Sequence, residues 1–179
     1  MYRSLLLIAV VVCIFCVGSI CAQDVEQRTQ TLVSSLDKTK YKKKEKGMVK
    51  VEVYVDVKNS AAVKNPADYS GVYETQFGYR LDLHVDASGA ATGNGYDSLD
   101  QDGTRANFTL RDARVQGALL TATKVYDNGQ TQNFEAVFVD RTVSAGANPS
   151  NVTDRESVFG LGFIQTSGSW TNRVFLERR

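Results

Sequence analysis

A tight turn between two segments of alternating polarity is the feature that most constrains the fold of this chain. At its centre stands Asn128-Gly129, a pair that adopts the positive φ angles of a type I′ turn, whose twist matches that of paired strands. We therefore expect a hairpin from Val115 to Arg141. The predicted cross-strand pairs are Val125 with Gln132, Thr123 with Phe134, Thr121 with Ala136, and Leu119 with Phe138.

The two faces of this predicted hairpin differ in polarity. The face that carries Phe134 is mainly apolar. The other face has Leu120 and Val137 near its middle, which indicates that it is partly covered too, as inside a sandwich or barrel. We also expect Lys124 and Glu135, on this second face, to pair diagonally across the hairpin.

Other segments after residue 47 show the same two-residue period and predict further strands. The clearest has valine at every second position from 49 to 57, where β-branched side chains line one buried face. Turns that carry glycine separate these segments at regular spacing, which is typical of antiparallel barrels and sandwiches. The predicted strands are Met48–Lys58, Ser70–Thr75, Tyr79–Asp86, Ala91–Tyr96, Arg105–Leu110, Ser157–Gln165 and Trp170–Leu176.

The connections between these strands complete the predicted architecture. Asn65-Pro66 is expected to cap a short helical turn, Asp97–Gly103 to form a polar loop, and Ser144–Glu156 to form a long loop at the rim. Strands do not alternate with helices along the sequence, so a parallel sheet is not expected. The predicted fold class is all-β: a single antiparallel barrel of eight or nine strands (a calycin-like meander) or a sandwich, preceded by one N-terminal helix.

One short motif resembles the start of a known kind of barrel. Ser70-Gly71-Val72-Tyr73, preceded by the expected helical turn, is similar to the Gly-x-Trp opening of lipocalin-like barrels. Tyr73 takes the place of the tryptophan, a further strand precedes the motif, and no helix follows the last strand. The resemblance covers four residues and implies only a barrel architecture.

The first 22 residues predict a signal peptide. Arg3 precedes an apolar stretch from Leu5 to Val17, and small residues lead to a cleavage site after Ala22. Cleavage would remove Cys13, Cys16 and Cys21 and leave a cysteine-free, secreted or periplasmic chain; the alternative is an uncleaved membrane anchor. The expected parts are a signal peptide (1–22), an amphipathic, lysine-rich helix and linker (23–47) and the β-domain (48–179).

The predicted helix spans Gln23 to Lys46 and ends in a lysine cluster. An apolar stripe recurs at helical spacing, formed by Val25, Leu32, Val33 and Leu36. The lysines have two interpretations: a tether to an anionic membrane, polymer or partner, or solvated charges that complement a helix C-terminus. The candidate binding residues for an anionic surface are Lys42, Lys43 and Lys44.

Asp82, His84 and Asp86 alternate along one predicted strand and therefore share a face. Two carboxylates beside an imidazole would suit a metal or an acid–base centre, and Glu135 is a further catalytic candidate. The structural alternative is a stripe of polar side chains in solvent, because the opposite face supplies the core residues.

A second acidic segment resembles the start of a calcium loop. Asp97, Asp100 and Asp102 place oxygen ligands before a glycine, yet Thr109 stands where a complete loop would have its bidentate glutamate. An ordinary turn rich in aspartate is the alternative. Asn107 and Asn151 begin glycosylation sequons, which have meaning only in a eukaryotic source.

Gly160 and Gly162 form a Gly-x-Gly motif inside a strand pattern with no helix after it, so no phosphate cradle is expected. We expect these glycines to allow either tight curvature, as at a barrel bend, or close packing of a neighbouring ring.

These observations predict an exported, non-enzymatic module with no cofactor. A closed barrel of eight strands has an interior that is filled by side chains or holds one small apolar ligand. The formal net charge of +1 gives no argument for nucleic acid. The other roles considered are partner binding, a structural role in the envelope or extracellular space, a secreted hydrolase built around His84, and an envelope-tethered protein that acts through its lysine cluster.

Overall fold

A computed structural model describes residues 23–36, 41–43, 51–59, 65–75, 78–98, 105–146, 152–167 and 170–179. Helix α1 covers residues 23–36. A 3-10 turn at Pro66–Tyr69 precedes the third of ten strands. The strands are β1 (Tyr41–Lys43), β2 (Val51–Asn59), β3 (Gly71–Glu74), β4 (Arg80–Val85), β5 (Ala90–Ser98), β6 (Arg105–Gln116), β7 (Leu119–Tyr126), β8 (Thr131–Gly146), β9 (Val152–Ser167) and β10 (Trp170–Arg178).

Strands β3 to β10 form a closed antiparallel barrel of eight strands. Each strand pairs with the next one in sequence, and β10 pairs with β3 through Glu177 opposite Glu74 and Arg178 opposite Tyr73. Closure leaves these strands without free edges, which is how an up-and-down barrel avoids edge-to-edge association. The predicted all-β barrel behind one helix is confirmed, and the sandwich alternative is not what forms.

Strands β1 and β2 extend the sheet beyond the barrel. β7 pairs with Thr131–Val137 of β8, and β2 pairs with the remainder of the same strand, from Asn59 opposite Val139 to Glu52 opposite Gly146. β8 also pairs with β9 as far as Gly146 opposite Val152. The predicted loop Ser144–Glu156 is therefore wrong at both ends, because strand partners on both sides bond the backbone of a segment whose small, polar residues suggested a loop.

The hairpin of β7 and β8 has a different turn and register from those predicted. Its turn contains three residues, 127–129: the Tyr126 amide donates to the Gln130 carbonyl at 2.9 Å, and Gly129 adopts φ +82°. This is a three-residue loop with glycine in the left-handed region, so the type I′ assignment is wrong. The observed pairs are shifted by one residue, for example Val125 with Thr131 and Ala122 with Phe134.

This shift moves side chains between faces. Because the period of a strand is two, Leu120 and Lys124 lie on the same face as Phe134, inside the barrel, rather than opposite to it. Val115 also belongs to β6, where it pairs with Leu120, so the hairpin does not begin there.

Several local predictions are confirmed. Leu81, Leu83 and Val85 of β4 are buried and alternate with exposed residues. Asn65 caps the 3-10 turn, since its side-chain oxygen accepts a hydrogen bond from the Ala67 amide at 3.1 Å. Two strands are longer than predicted: β5 includes Asp97, which was assigned to a loop, and β6 runs on to Gln116.

Aromatic side chains close one end of the barrel, which we call the closed end (Tyr69, Tyr73, Val85 and Phe138). The rings of Tyr69 and Phe138 stack with centroids 4.0 Å apart. The Tyr73 hydroxyl donates to the Tyr69 carbonyl at 2.6 Å, and burial raises the pKa of that hydroxyl. The 3-10 turn is fixed there because Ser70 bonds the backbone of Val85.

Helix α1 packs on the outside of the barrel. Gly162 lies between the inward-facing residues Leu161 and Phe163, and a Cβ atom at Gly162 would lie only 2.5 Å from Leu36 Cδ1. Arg28 of the helix forms an ion pair with Glu135 of β8, and Arg173 donates to the Ser35 carbonyl. The helix of the described residues is neither long nor apolar enough to cross a membrane.

The helix packs against the outer face of the hairpin, through Arg28 and Glu135, and Val137 on that face is fully buried. The predicted extent of the helix to Lys46 is wrong, since Lys42 and Lys43 lie in β1. The helical spacing of apolar residues in the sequence ends at Leu36, the last described residue of α1, so the pattern of an amphipathic helix does not extend to the lysines.

Candidate functional site

The barrel end opposite to the closed end has an interior with both polar and aromatic side chains. Antiparallel pairing brings the start of β4, β6 and β8 to this end together with the last residues of β5, β7 and β9. We call it the polar end, formed by the side chains of Tyr79, Asp97, Phe108, Lys124, Tyr126, Gln132, Phe134, Phe163 and Gln165.

A buried ion pair lies at the centre of the polar end. Lys124 Nζ donates to both carboxylate oxygens of Asp97 at 2.8 Å, and the two side chains are only 4% and 5% exposed. The Tyr126 hydroxyl donates to Asp97 Oδ2 at 2.7 Å. The pair is therefore held in a fixed geometry by β5 and β7.

Aromatic rings surround the ammonium group of Lys124. Its Nζ lies 4.3 Å from the ring centroid of Phe108, 4.6 Å from that of Phe134 and 5.3 Å from that of Phe163. Phe134 and Phe163 meet edge to face with centroids 5.2 Å apart. Ring faces carry negative partial charge, so they attract a buried cation as well as exclude water from it.

The local sequence explains how these groups meet. Leu120, Lys124 and Tyr126 share the inward face of β7, because they are separated by even numbers of residues. Gly95, two residues before Asp97, lets the Phe108 ring come close, since a Cβ atom there would lie 3.0 Å from Phe108 Cζ. The glycine thus makes room for a wall of the ammonium site.

Burial and charge set the protonation behaviour of this end. Burial lowers the pKa of the Lys124 ammonium, and the Asp97 carboxylate opposes that change. Burial raises the pKa of the Tyr126 hydroxyl, and the hydrogen bond to Asp97 adds to the effect. A buried pair of this kind gains little net stability, but loss of one partner leaves the other charge unpaired in a water-poor interior.

A rim of half-buried groups lies around the buried pair. The Tyr79 hydroxyl donates to Gln165 Oε1 at 3.0 Å, and burial raises the pKa of that hydroxyl. The Tyr126 hydroxyl lies 2.9 Å from Gln132 Oε1, at an exposed position. Four side chains thus bring hydroxyl and amide groups to the solvent side of the polar end. Beneath them, Lys124 and Asp97 neutralise each other's charge.

The predicted catalytic candidates on β4 lie elsewhere. Asp82 and His84 are exposed on the outer surface of the barrel, on the face opposite to the core residues. Asp86 is also exposed and accepts hydrogen bonds from the backbone of Ser88 and Ala90. Bonds from Ser88, first of all from its hydroxyl, lower the pKa of Asp86, so this carboxylate stabilises a turn.

Glu135 is separated from that strand by β5, β6 and β7 and pairs with Arg28 of the helix. The predicted pair of Lys124 with Glu135 is wrong, because the one-residue shift in register puts these side chains on opposite faces. Within the described part of the chain, no three histidine, cysteine or acidic residues form a group suited to a metal ion.

The other candidates are only partly described. Asp97 points into the barrel with both oxygens bonded to Lys124, whereas Asp100 and Asp102 lie outside the described residues. Lys44, Asn151 and the three cysteines at positions 13, 16 and 21 also lie outside them. Asn107 is exposed, and its amide donates to Asp127 at 3.1 Å. Close packing of a ring is confirmed at Gly160, where a Cβ atom would lie 2.6 Å from the Phe175 ring, whereas Gly162 packs against Leu36.

The sequence alone did not reveal the polar end. The predicted register puts Lys124 on the face opposite to Phe134, whereas the observed register, shifted by one residue, puts both side chains inside the barrel. The signal that was available is the even spacing of Lys124 from Leu120, a residue at the middle of an apolar strand.

Comparisons of this chain with protein-family models, curated proteins and solved structures gave no match.

Proposed function

We propose that this chain is an exported, non-enzymatic barrel module that binds one small ligand at the polar end. The observation that carries the proposal is the convergence there of hydroxyl, amide and aromatic groups from several strands, around a buried pair of charges. Concave sites that join apolar walls with a few fixed polar groups are the usual places for small ligands in proteins.

The closed end is less suited to a ligand. There, the stacked rings of Tyr69 and Phe138 fill the interior, and the Tyr73 hydroxyl is already bonded to the backbone. At the polar end, Tyr79 and Tyr126 are only half-buried, so their rings and hydroxyls are within reach of a molecule at the rim.

The charges of the polar end favour an uncharged ligand. Lys124 and Asp97 neutralise each other, and a charged group brought beside them would lose its hydration without gaining a free partner. A mainly apolar molecule with one or two hydrogen-bonding groups fits the rings and the hydroxyls of Tyr79 and Tyr126.

The absence of catalysis is proposed on chemical grounds. Asp82 and His84 are exposed on the outer surface of the barrel, so solvent surrounds them rather than the walls of a binding site. Lys124 is bonded to Asp97 and enclosed by rings, so it has no free lone pair to offer as a nucleophile.

Export is proposed because the leader has a positive residue, an apolar stretch and small residues before Ala22. N-terminal sequencing of the protein recovered from the medium or periplasm tests this. The expected first residue is Gln23, and a chain that keeps residues 1–22 would contradict cleavage.

Ligand binding is tested with the mature chain and N-phenyl-1-naphthylamine, a neutral apolar fluorescent probe. We expect saturable fluorescence at one probe per chain, with affinity reduced about tenfold when Tyr79→Phe and Tyr126→Phe are combined, since the N–H of the probe then has no hydroxyl acceptor and one hydrogen bond is worth ~0.5–1.5 kcal/mol. Tyr96→Phe is the matched control, because Tyr96 lies on the outer face under Arg105. No saturable binding, or equal loss in the control, would contradict the proposal.

Native mass spectrometry of the chain purified from its own host identifies the ligand. We expect a retained mass in the wild type and in Tyr96→Phe that is lost from the Tyr79→Phe/Tyr126→Phe variant. A retained mass that is equally present in all three proteins would place the ligand elsewhere.

A further inference from the structure

The surroundings of Lys124 Nζ are a complete binding site for an ammonium group. The carboxylate of Asp97 supplies two acceptors at 2.8 Å, and its orientation is fixed by the Tyr126 hydroxyl at 2.7 Å. Three phenylalanine rings enclose the other side of the nitrogen at 4.3–5.3 Å. Both charged side chains are more than nine-tenths buried.

These groups are arranged for a compact cation rather than for a planar one. An ammonium group has three hydrogen-bond donors about one atom, and two of them satisfy the Asp97 oxygens. The third side of the nitrogen meets ring faces, which attract positive charge but accept no strong hydrogen bond. Both carboxylate oxygens of Asp97 meet the same nitrogen atom, which is the geometry of a compact ammonium group.

We infer that the barrel interior contains a recognition site for primary alkylammonium ions, in which Lys124 is the resident, covalently attached ligand. We call it the ammonium box (Asp97, Phe108, Tyr126, Phe134 and Phe163). A free alkylammonium ion of matching length occupies the box once the Lys124 side chain is shortened. This inference stands independently of the proposed rim ligand, because it concerns the groups beneath the rim.

The contrasting explanation is that Lys124 only fills space. In that case any apolar molecule of similar size would fill the vacancy equally well, as apolar cavities in proteins take up apolar ligands. The two explanations make different predictions for Asp97. Binding in the ammonium box requires its carboxylate, whereas binding in a purely apolar cavity does not.

The test uses Lys124→Ala in the mature chain with n-propylammonium chloride, whose carbon and nitrogen atoms replace those removed from the lysine. We expect the variant to have a lowered Tm and n-propylammonium to raise it by several degrees in a saturable manner, as a ligand of the native state does. The wild type should show no such rise, because its box is filled.

Two controls decide what the vacancy recognises. Sodium chloride at the same ionic strength and 1-propanol, a neutral molecule of the same length, should leave the Tm of Lys124→Ala unchanged. The double variant Lys124→Ala/Asp97→Ala should lose the response to n-propylammonium. An equal rise with 1-propanol, or an equal rise in the double variant, would overturn the inference.

Refolding provides the measurement if Lys124→Ala does not fold alone. We expect n-propylammonium in the refolding buffer to increase the yield of folded protein several-fold, and 1-propanol to give no increase. The absence of any gain with n-propylammonium would overturn the inference.

Discussion

The two ends of the barrel have the same alternation of inward and outward side chains, but their buried polar groups have different partners. At the closed end, a backbone carbonyl accepts the hydroxyl of Tyr73, and aromatic rings fill the rest of the space. At the polar end, the oppositely charged side chains of Lys124 and Asp97 form an ion pair, and phenylalanine side chains surround it. One or two inward-facing residues therefore decide whether an end is filled by aromatic side chains or contains an ion pair.

This difference has an energetic consequence. Burial of a large apolar side chain stabilises the fold by ~1.5–3 kcal/mol, which is a gain that each side chain makes separately. A buried ion pair is close to neutral as a pair and costly when broken. At the closed end, each truncated side chain should therefore lower the stability by its own amount. At the polar end, stability should fall most when only one of the two charges is removed.

The largest effect is expected from breaking the charge balance. Asp97→Ala leaves the Lys124 charge buried without a partner and should lower the free energy of unfolding by ~3–5 kcal/mol, measured by urea denaturation. Phe138→Ala at the closed end should cost a similar ~3–5 kcal/mol through loss of packing.

A paired replacement separates the two ends. Asp97→Leu combined with Lys124→Met removes both charges and should restore most of the stability lost in either single variant. Costs that simply add in the double variant would show that the two residues are not coupled, and the proposed difference between the ends would be wrong.

A smaller effect is expected from single hydroxyl groups. Tyr73→Phe removes a donor from a buried carbonyl of Tyr69 and should cost ~1–3 kcal/mol. Tyr126→Phe should cost less, because its hydroxyl is half-buried and water can reach that region. Urea denaturation of both variants checks the order, and a larger cost for Tyr126→Phe would contradict it.

The pH dependence of stability follows from the same hydroxyl. Burial raises the pKa of Tyr73 in the folded chain, so the unfolded chain loses that proton first, at its ordinary pKa of ~10. The Tyr73 contribution is complete below pH ~10 and falls as the pH rises further. Lys124 has the opposite sign, since burial lowers its pKa, and its contribution grows with pH below the ordinary lysine pKa of ~10.4.

Comparison with Tyr73→Phe isolates the tyrosine. We expect the stability of the wild type to fall more steeply than that of the variant above pH ~10, by urea denaturation at a series of pH values. Parallel curves would mean that Tyr73 ionises as easily in the folded chain as in the unfolded one.

The smallest effect is expected outside the barrel. Asp82→Asn and His84→Ala change exposed side chains on β4 and should alter the free energy of unfolding by no more than ~0.5 kcal/mol. These variants give the baseline against which both ends are judged. A cost of several kcal/mol for either one would show that the outer face of β4 is not simply solvated.

Local patterns were sufficient to predict most of the strands and an all-β class, either a barrel or a sandwich. The alternation of Leu81, Leu83 and Val85 with polar residues identifies β4, and the Asn65-Pro66 pair identifies the 3-10 turn. Such signals are local, because each depends on the side chains of a few consecutive residues and on the side that must be buried.

The register and the polar end depend on partners that local patterns do not reveal. Asn128-Gly129 fits a two-residue turn, yet the hydrogen bonds of Tyr126 with Gln130 and Gly129 enclose three residues. The change of one residue sends Lys124 inward, where Asp97 from a distant strand receives it. The same limit applies to Ser144–Gly146, whose strand character comes from pairing with β2 and β9.

The most direct test is a side-chain NMR measurement on Lys124 in the folded chain. We predict slowly exchanging Nζ protons with nuclear Overhauser contacts to the rings of Phe108, Phe134 and Phe163, which requires the observed register and the buried pair together. A Lys124 ammonium that exchanges freely with water, with backbone contacts that pair Thr123 with Phe134, would contradict both.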